Sequence, residues 1–294
     1  MKSYKEALHN AAEVLAQADI EEAVNDSWLL LQYVTGITRS EYFLRPDTTL
    51  SEVQQQKFFA LVEKRAEHIP LQHITGMQEF MGMNFLVNKH VLIPRQDTEI
   101  LVETALELWK KQSVGVDSEQ NAVGQNEILD MCTGSGCIAI SLAALAKNAR
   151  VSAVDISPEA LCVAKKNAEN LCHGKVTFYQ GDLFAALNEK CKFQMIVSNP
   201  PYIPSADIET LMPEVREYEP RLALDGTEDG LYFYRKLAAQ AGNYLAADGW
   251  ILFEIGCEQA DDVRMLLEEN GFCDIFVRKD YAGLDRVVGG RKVS

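Results

Sequence analysis

The stretch Ile128-Leu129-Asp130-Met131-Cys132-Thr133-Gly134-Ser135-Gly136-Cys137-Ile138 passes from an apolar run, through a glycine-rich turn, into an apolar helical pattern. Residues 128–131 predict a buried strand and residues 138–147 a helix. The alternation continues downstream, with strands at 151–155, 176–179, 195–198 and 250–254 and helices at 158–171 and 230–245. Such a series predicts an α/β fold, a doubly wound parallel sheet with helices on both faces. Residues 273–277 and 286–293, flanking Leu284-Asp285, predict a strand pair that closes the sheet.

Upstream, residues 112–126 are polar and aperiodic and predict a surface loop, and residues 97–111 predict a helix. Phe80, Met83, Phe85 and Val87, then Asn88-Lys89, then Val91-Leu92-Ile93-Pro94, predict a β-hairpin over 76–94. Residues 1–75 predict an α-helical bundle. Tyr4, Leu8, Ala11 and Leu15 recur at helical spacing; a second helix stops at Gly36; a third begins at Ser51, which has the character of an N-cap. The division expected is therefore 1–75 helical, 76–94 linker and 95–294 catalytic or binding domain. The bundle serves equally as a structural cap or a docking module.

The 294 residues accord with about two domains. No run approaches the roughly 20 apolar residues of a membrane span, and Met1-Lys2-Ser3-Tyr4-Lys5-Glu6 lacks an apolar signal core, so a cytoplasmic protein with no membrane partner is expected. Seven cysteines, without a Cys-x-x-Cys spacing, argue for reduced thiols rather than disulfides or zinc, and no metal is expected. The net charge of −15 repels a phosphate backbone. It favours a protein or small-molecule substrate over nucleic acid.

Two features carry chemistry. Glycines at 134 and 136 let backbone approach a ligand beside a helix N-terminus, and Asp155 ends the next strand about twenty residues on, where this fold places an acid on ribose hydroxyls. Gly134, Gly136 and Ala139 also fit the dinucleotide fingerprint, so the loop alone leaves S-adenosylmethionine, a dinucleotide and a ligand-free turn open. Asp182, after the third strand, can accept from an adenine amino group.

The second feature is Asn199-Pro200-Pro201-Tyr202, directly after the strand at 195–198. Ligands in open α/β sheets bind beyond the carboxyl ends of strands, so the tetrapeptide shares a rim with the glycine loop. The Asn199 side-chain oxygen and the Pro200 carbonyl can accept both N–H bonds of a planar amide or amine nitrogen. Prolines stiffen those acceptors, and the Tyr202 ring can stack on the planar group. The nitrogen lone pair then faces a methyl donor. A dehydrogenase leaves this tetrapeptide without a role, and a non-catalytic scaffold leaves it without a consequence.

The chain resembles the protein-glutamine methyltransferases that modify class-I peptide chain release factors. The resemblance rests on Pro70-Leu71-Gln72-His73-Ile74-Thr75-Gly76, Leu92-Ile93-Pro94-Arg95-Gln96-Asp97-Thr98-Glu99, Glu219-Pro220-Arg221-Leu222-Ala223-Leu224-Asp225-Gly226 and Phe253-Glu254-Ile255-Gly256, over nearly the whole chain. It implies a seven-stranded Rossmann-like methyltransferase domain behind an N-terminal docking bundle. It implies S-adenosyl-L-methionine, leaving as S-adenosyl-L-homocysteine, held by Cys132, Thr133, Gly134, Ser135, Gly136 and Asp155, with Asp182, Leu183 and Asn199 close by. It implies that Asn199, Pro200, Pro201 and Tyr202 hold the glutamine amide of a release factor's Gly-Gly-Gln tripeptide. The same tetrapeptide would serve a DNA adenine or ribosomal-RNA guanine methyltransferase. The family usually has glycine where this chain has Cys132; the Cβ there predicts a negative φ with cofactor binding retained.

Overall fold

Serine or threonine starts three of the five N-terminal helices in the computed structural model, which describes residues 1–113 and 126–293. These helices are α1 (Tyr4–Gln17), α2 (Ala23–Thr35), α3 (Arg39–Leu44), α4 (Glu52–Ala66) and α5 (Leu71–Thr75). Ser3, Thr38 and Ser51 each accept from a backbone N–H three residues on, while Glu6, Glu41 and Gln54 reach back to the cap's own N–H. These reciprocal bonds satisfy donors that a helix start otherwise leaves orphaned. Gly36, at φ 73°, closes α2 in the left-handed conformation. Leu15, Leu30, Leu31, Leu50 and Phe58 are fully buried at the centre of this bundle. The short helices α3 and α5 escape the sequence pattern because each is too brief to show a period.

Met1–Met77 forms one compact unit together with Met212–Tyr218, a later segment of the chain. An ion network joins the two stretches. Arg65, 8% exposed, donates through Nε to Asp26 at 2.7 Å and through Nη1 to Glu214 at 3.0 Å, and His68 Nδ1 lies 3.0 Å from the same Glu214 oxygen. Burial acts to raise the Glu214 carboxyl, but its own backbone N–H, His68 and Arg65 together outweigh it and hold the group below the ordinary range.

The second unit starts at Gln78, within a hairpin of β1 (Met77–Phe80) and β2 (Met83–Leu86). Its turn is Met81-Gly82, both at positive φ, rather than Asn88-Lys89, and residues 91–94 are not a strand. Two consecutive positive φ angles match the twist of paired strands, and here a methionine occupies a place usually given to Asn or Gly, so composition does not reveal it. There follow α6 (Asp97–Ser113), β3 (Glu127–Met131), α7 (Cys137–Leu145), β4 (Arg150–Asp155), α8 (Pro158–Cys172), β5 (Val176–Gln180), β6 (Phe193–Ser198), α9 (Pro213–Tyr218), α10 (Tyr232–Tyr244), β7 (Leu245–Glu254), α11 (Ala260–Glu269), β8 (Phe272–Lys279) and β9 (Asp285–Lys292). Of these, α9 belongs to the first unit. Most of the expected loop at 112–126 lies outside the described residues; Gln112 and Ser113 end α6.

Seven strands form one sheet in the order β5-β4-β3-β6-β7-β9-β8. The first five are parallel and β9 runs antiparallel to both β7 and β8, so the tail pair closes the edge. Successive residues of the central strands enter opposite cores. Ile128, Met195 and Val197 join the layer with Trp109 and Ile140, whereas Leu129 and Ile196 join the layer with Tyr234 and Leu237. Burial on both faces explains why these strands read as unbroken apolar runs. Strand order reverses between β3 and β6, which opens a crevice beyond their carboxyl ends. No helix among the described residues is long and apolar enough to cross a membrane.

Candidate active site

The loop after β3 and the tetrapeptide after β6 flank that crevice because their strands are neighbours, Met131 pairing with Ser198. A cavity of about 280 Å³ lies there. Of the residues singled out from the sequence, Cys132, Thr133, Gly134, Ser135, Asp155, Asp182, Leu183, Asn199 and Pro201 line it. Gly136, Pro200 and Tyr202 are not among the lining residues.

The glycine loop is built from hydrogen bonds that converge on two strand-end acids. Gly134 N–H donates to Asp155 Oδ2 at 2.8 Å, and Ser157 N–H donates to Oδ1 at 2.9 Å. Burial raises the Asp155 carboxyl against the pull of these backbone N–H groups. Asp130 sits deeper. Its Oδ2 accepts from the Thr133 hydroxyl at 2.5 Å and from Ala139 N–H at 3.1 Å, while Oδ1 has no partner among the described residues. Gly136 has φ 82°, and a Cβ there would meet Ile140 Cδ1 at 2.9 Å and Ala164 Cβ at 3.1 Å, so glycine is required by conformation and by packing. Asn167, absent from the sequence reading, is buried on α8 and braces the loop, donating to Ser135 O at 2.9 Å and to Leu86 O at 3.0 Å.

Burial pushes Asp130 up to about 7, against its bonds from Thr133 and Ala139. In the unfolded chain this carboxyl ionises near its ordinary value, so between there and about pH 7 the folded state holds one more proton. Stability from this group is therefore present at low pH and lost as pH rises through that window, by on the order of a few kcal/mol. Thermal melts from about pH 5 to about pH 8 are expected to show a falling midpoint, less steep in Asp130→Asn. Equal slopes in both proteins would contradict this account.

Cys132 has φ 64°, which overturns the negative value expected from its Cβ. The loop needs a left-handed residue here so that Thr133 N–H can return to Val154 O at 3.0 Å. Cys132 packs against the apolar layer that contains Tyr234 and Leu237, and burial raises its thiol pKa far above the neutral range, with Asp155 and Asp130 adding to the shift. Cys132→Gly is expected to relieve about 1 kcal/mol of backbone strain, offset by lost thiol packing and a freer unfolded chain, for a net change within about 1 kcal/mol. Denaturant titration would measure that change, and calorimetry with cofactor is expected to give an affinity close to that of the parent protein.

Leu183, at φ 48°, and the mostly exposed Asp182 line the cavity, and Lys236 Nζ is 3.9 Å from Asp182 Oδ2. The Asn199 side chain, which also lines the cavity, donates through Nδ2 to Thr98 Oγ1 at 3.3 Å. Tyr202 turns back into the fold, its carbonyl accepting from Gln259 Nε2 at 3.0 Å, and burial raises its hydroxyl pKa. The stretch 219–226 braces this turn. Ile203 N–H donates to Leu224 O at 3.0 Å, Gly226 N–H donates to Ile203 O at 2.8 Å, and a Cβ at Gly226 would strike the Tyr202 backbone at 2.8 Å. Glu219 accepts from Ile93 N–H at 3.1 Å and from Arg95 Nη2 at 2.6 Å. Arg95 thus ties the segment after the hairpin to the one beyond the tetrapeptide, while also lining the cavity.

The lining suits a nucleoside that carries no pyrophosphate. A Cβ at Gly134 would meet nothing within 4 Å, so open space lies over the loop's backbone. The strand-end groups facing it are carboxylates, which accept from hydroxyl and amino groups and repel a pyrophosphate.

Residues 6–76 match the PrmC N-terminal domain family and residues 117–215 the methyltransferase small domain family. A release factor glutamine methyltransferase from Geobacter sulfurreducens is 44% identical, over 94% of this chain and 92% of its own. One from Clostridium acetobutylicum is 40% identical, over 97% and 96%. The crystal structure of a methyltransferase from Pyrococcus furiosus superposes with a TM-score of 0.52 at 16% identity, covering 73% of this chain and 91% of that one, which shows the fold. With near-complete matches at this identity, the chain belongs to the release factor glutamine methyltransferase family.

Proposed function

We propose that this protein methylates the side-chain amide nitrogen of the glutamine in the Gly-Gly-Gln motif of class-I peptide chain release factors, with S-adenosylmethionine as donor. The observation that carries the reading is Asn199, which directly follows β6 and lines the same cavity as the glycine loop. S-adenosylmethionine supplies, when bound, a methyl group on a cationic sulfur. Asp155 and Asp182 would hold its ribose hydroxyls and adenine amino group, and the backbone at Gly134 leaves room for it.

The chain's own task is to present a poor nucleophile correctly. An amide nitrogen is weak because its lone pair is delocalised. Asn199 Oδ1 and the Pro200 carbonyl would accept its two N–H bonds, fixing the nitrogen and turning its remaining lobe toward the donor. Pro200 and Pro201 are buried and hold these acceptors stiffly, so little reorganisation accompanies the reaction. Once methylated, the nitrogen is cationic and strongly acidic and gives one proton to solvent water, so no strong base is needed. Positioning of this kind lowers a barrier by up to about 7–11 kcal/mol. Tyr202, turned back into the fold with its carbonyl on Gln259, supports the turn that carries these acceptors. The N-terminal unit would dock the body of the release factor.

The test is mass spectrometry of a full-length release factor incubated with the enzyme and cofactor. A methyl group on the Gly-Gly-Gln glutamine is expected. An unmodified release factor alongside methylated DNA or RNA would transfer the assignment to an exocyclic amine.

A further inference from the structure

Glu254 ends β7 beside Asn199. The two strands are parallel with Ser198 opposite Phe253, so the next residue on each emerges at the same level of the rim. Glu254 is 1% exposed, and its Oε2 has no hydrogen-bond partner among the described residues. Thr98, from the first turn of α6, and Asn199 are the polar neighbours that pull its carboxyl down against burial; Arg286 from β9 lowers it and Asp97 from α6 raises it by charge. Tyr202, Tyr234 and Cys137 feel its charge in turn.

The hydrogen bonds here have a direction. An ionised carboxylate only accepts. Thr98 has one hydroxyl proton, and its oxygen already accepts from Asn199 Nδ2 at 3.3 Å, so that proton is free for Glu254. The run is then Asn199 N–H to Thr98 oxygen, and Thr98 O–H to Glu254. The two ends of an asparagine amide have almost the same shape, and only hydrogen-bond polarity tells them apart. With its nitrogen held inward, Asn199 presents its oxygen outward. A protonated or amide side chain at 254 can donate to Thr98, which permits the reverse order. Asn199 would then show its NH₂ to a substrate nitrogen that has only N–H bonds to give.

We propose that Glu254 is a positioning residue for methyl transfer, which acts through Thr98 and Asn199 to keep the Asn199 oxygen facing the substrate amide and releases that orientation when it is protonated. This rests on the reading of Asn199 as acceptor for the substrate nitrogen. Burial raises Glu254 to about 7, against the hydrogen bonds from Thr98 and Asn199, so the release falls in the neutral range.

The experiment compares the full-length enzyme with Glu254→Gln, by methylation of intact release factor across pH and by NMR of the Asn199 side-chain NH₂ in enzyme without substrate. In the variant, kcat is expected to fall on the order of 10- to 100-fold with KM nearly unchanged. Parent kcat is expected to rise through an ionisation near neutrality that the variant lacks, and the Asn199 NH₂ resonances to follow that ionisation in the parent alone. Should the parent leave the release factor unmethylated, the functional reading fails, and the NMR titration decides the positioning independently. Parent-like kcat, pH profile and Asn199 resonances in Glu254→Gln would overturn it. Thr98→Val, which removes the relay hydroxyl, is expected to reproduce the kcat loss; a folded Thr98→Val with full kcat would overturn it as well.

Discussion

Asn199→Ala is expected to reduce kcat for release factor methylation by about 10²- to 10³-fold, the loss that follows removal of one oriented hydrogen-bonding group from a reacting centre. The residue sits at a strand end, with its side-chain nitrogen on Thr98 and its backbone continuing into two buried prolines. Truncation leaves those prolines and the strand in place, so circular dichroism and cofactor affinity are expected to stay near the parent values. Single-turnover kinetics would separate this from a binding defect. A variant that keeps full kcat would remove Asn199 from the chemistry and with it the proposed function. Asn199→Asp is a useful companion, because a carboxylate also accepts but lies beside Glu254; repulsion there would make it a poor substitute.

Arg65→Ala is expected to destabilise the protein by about 3–5 kcal/mol, the usual consequence of breaking a buried ion pair from one side. Asp26 is 6% exposed, and its carboxylate would lose the Nε bond at 2.7 Å, while Glu214 would lose the Nη1 bond at 3.0 Å. The damage comes from charges left without partners more than from the worth of the pair itself. The thermal midpoint is expected to drop on the order of 10 °C. Adding Asp26→Asn should recover part of that loss by removing one orphaned charge. A double variant no more stable than Arg65→Ala would show that the loss arises from packing of the arginine stem instead.

The places where the sequence reading succeeded and failed share a physical pattern. Apolar runs located the central strands β3, β4 and β6, since a strand buried on both faces is apolar at nearly every position, while the edge strands β5 and β8, partly exposed, were located by shorter apolar stretches within the alternation. The helices capped by Ser51 and stopped by Gly36 were legible because caps and stops are local chemistry. The Met81-Gly82 turn was not, because methionine carries no turn signal and the pairing of β1 with β2 imposes its conformation. Cys132 was misread for a related reason. Its side chain disfavours positive φ, but the bond from Thr133 N–H to Val154 O demands it, and a strand neighbour is not visible from the loop.

Thr98, Glu219 and Glu254 all lay within stretches quoted for the family resemblance, yet none was assigned a role. The available hint was a carboxylate closing an apolar run, as Glu254 closes Trp250-Ile251-Leu252-Phe253 and Asp130 closes Ile128-Leu129. Such a residue is costly to bury and calls for partners. Its partners are named only by the sheet order, which places β7 beside β6 and brings α6 to the same rim.

By itself the sequence determined the doubly wound alternation, the glycine loop with its two strand-end acids, and the presence of Asn199-Pro200-Pro201-Tyr202 at a strand end. Each follows from spacing and residue type over a few positions. Tertiary structure alone decided that the loop and the tetrapeptide meet at the reversal between β3 and β6, that Pro200 and Tyr202 support the turn without lining the cavity, and that Glu254 stands against Asn199. The reason is that these relations join residues tens of positions apart through strand order and hydrogen-bond polarity, and neither is a local property of the chain.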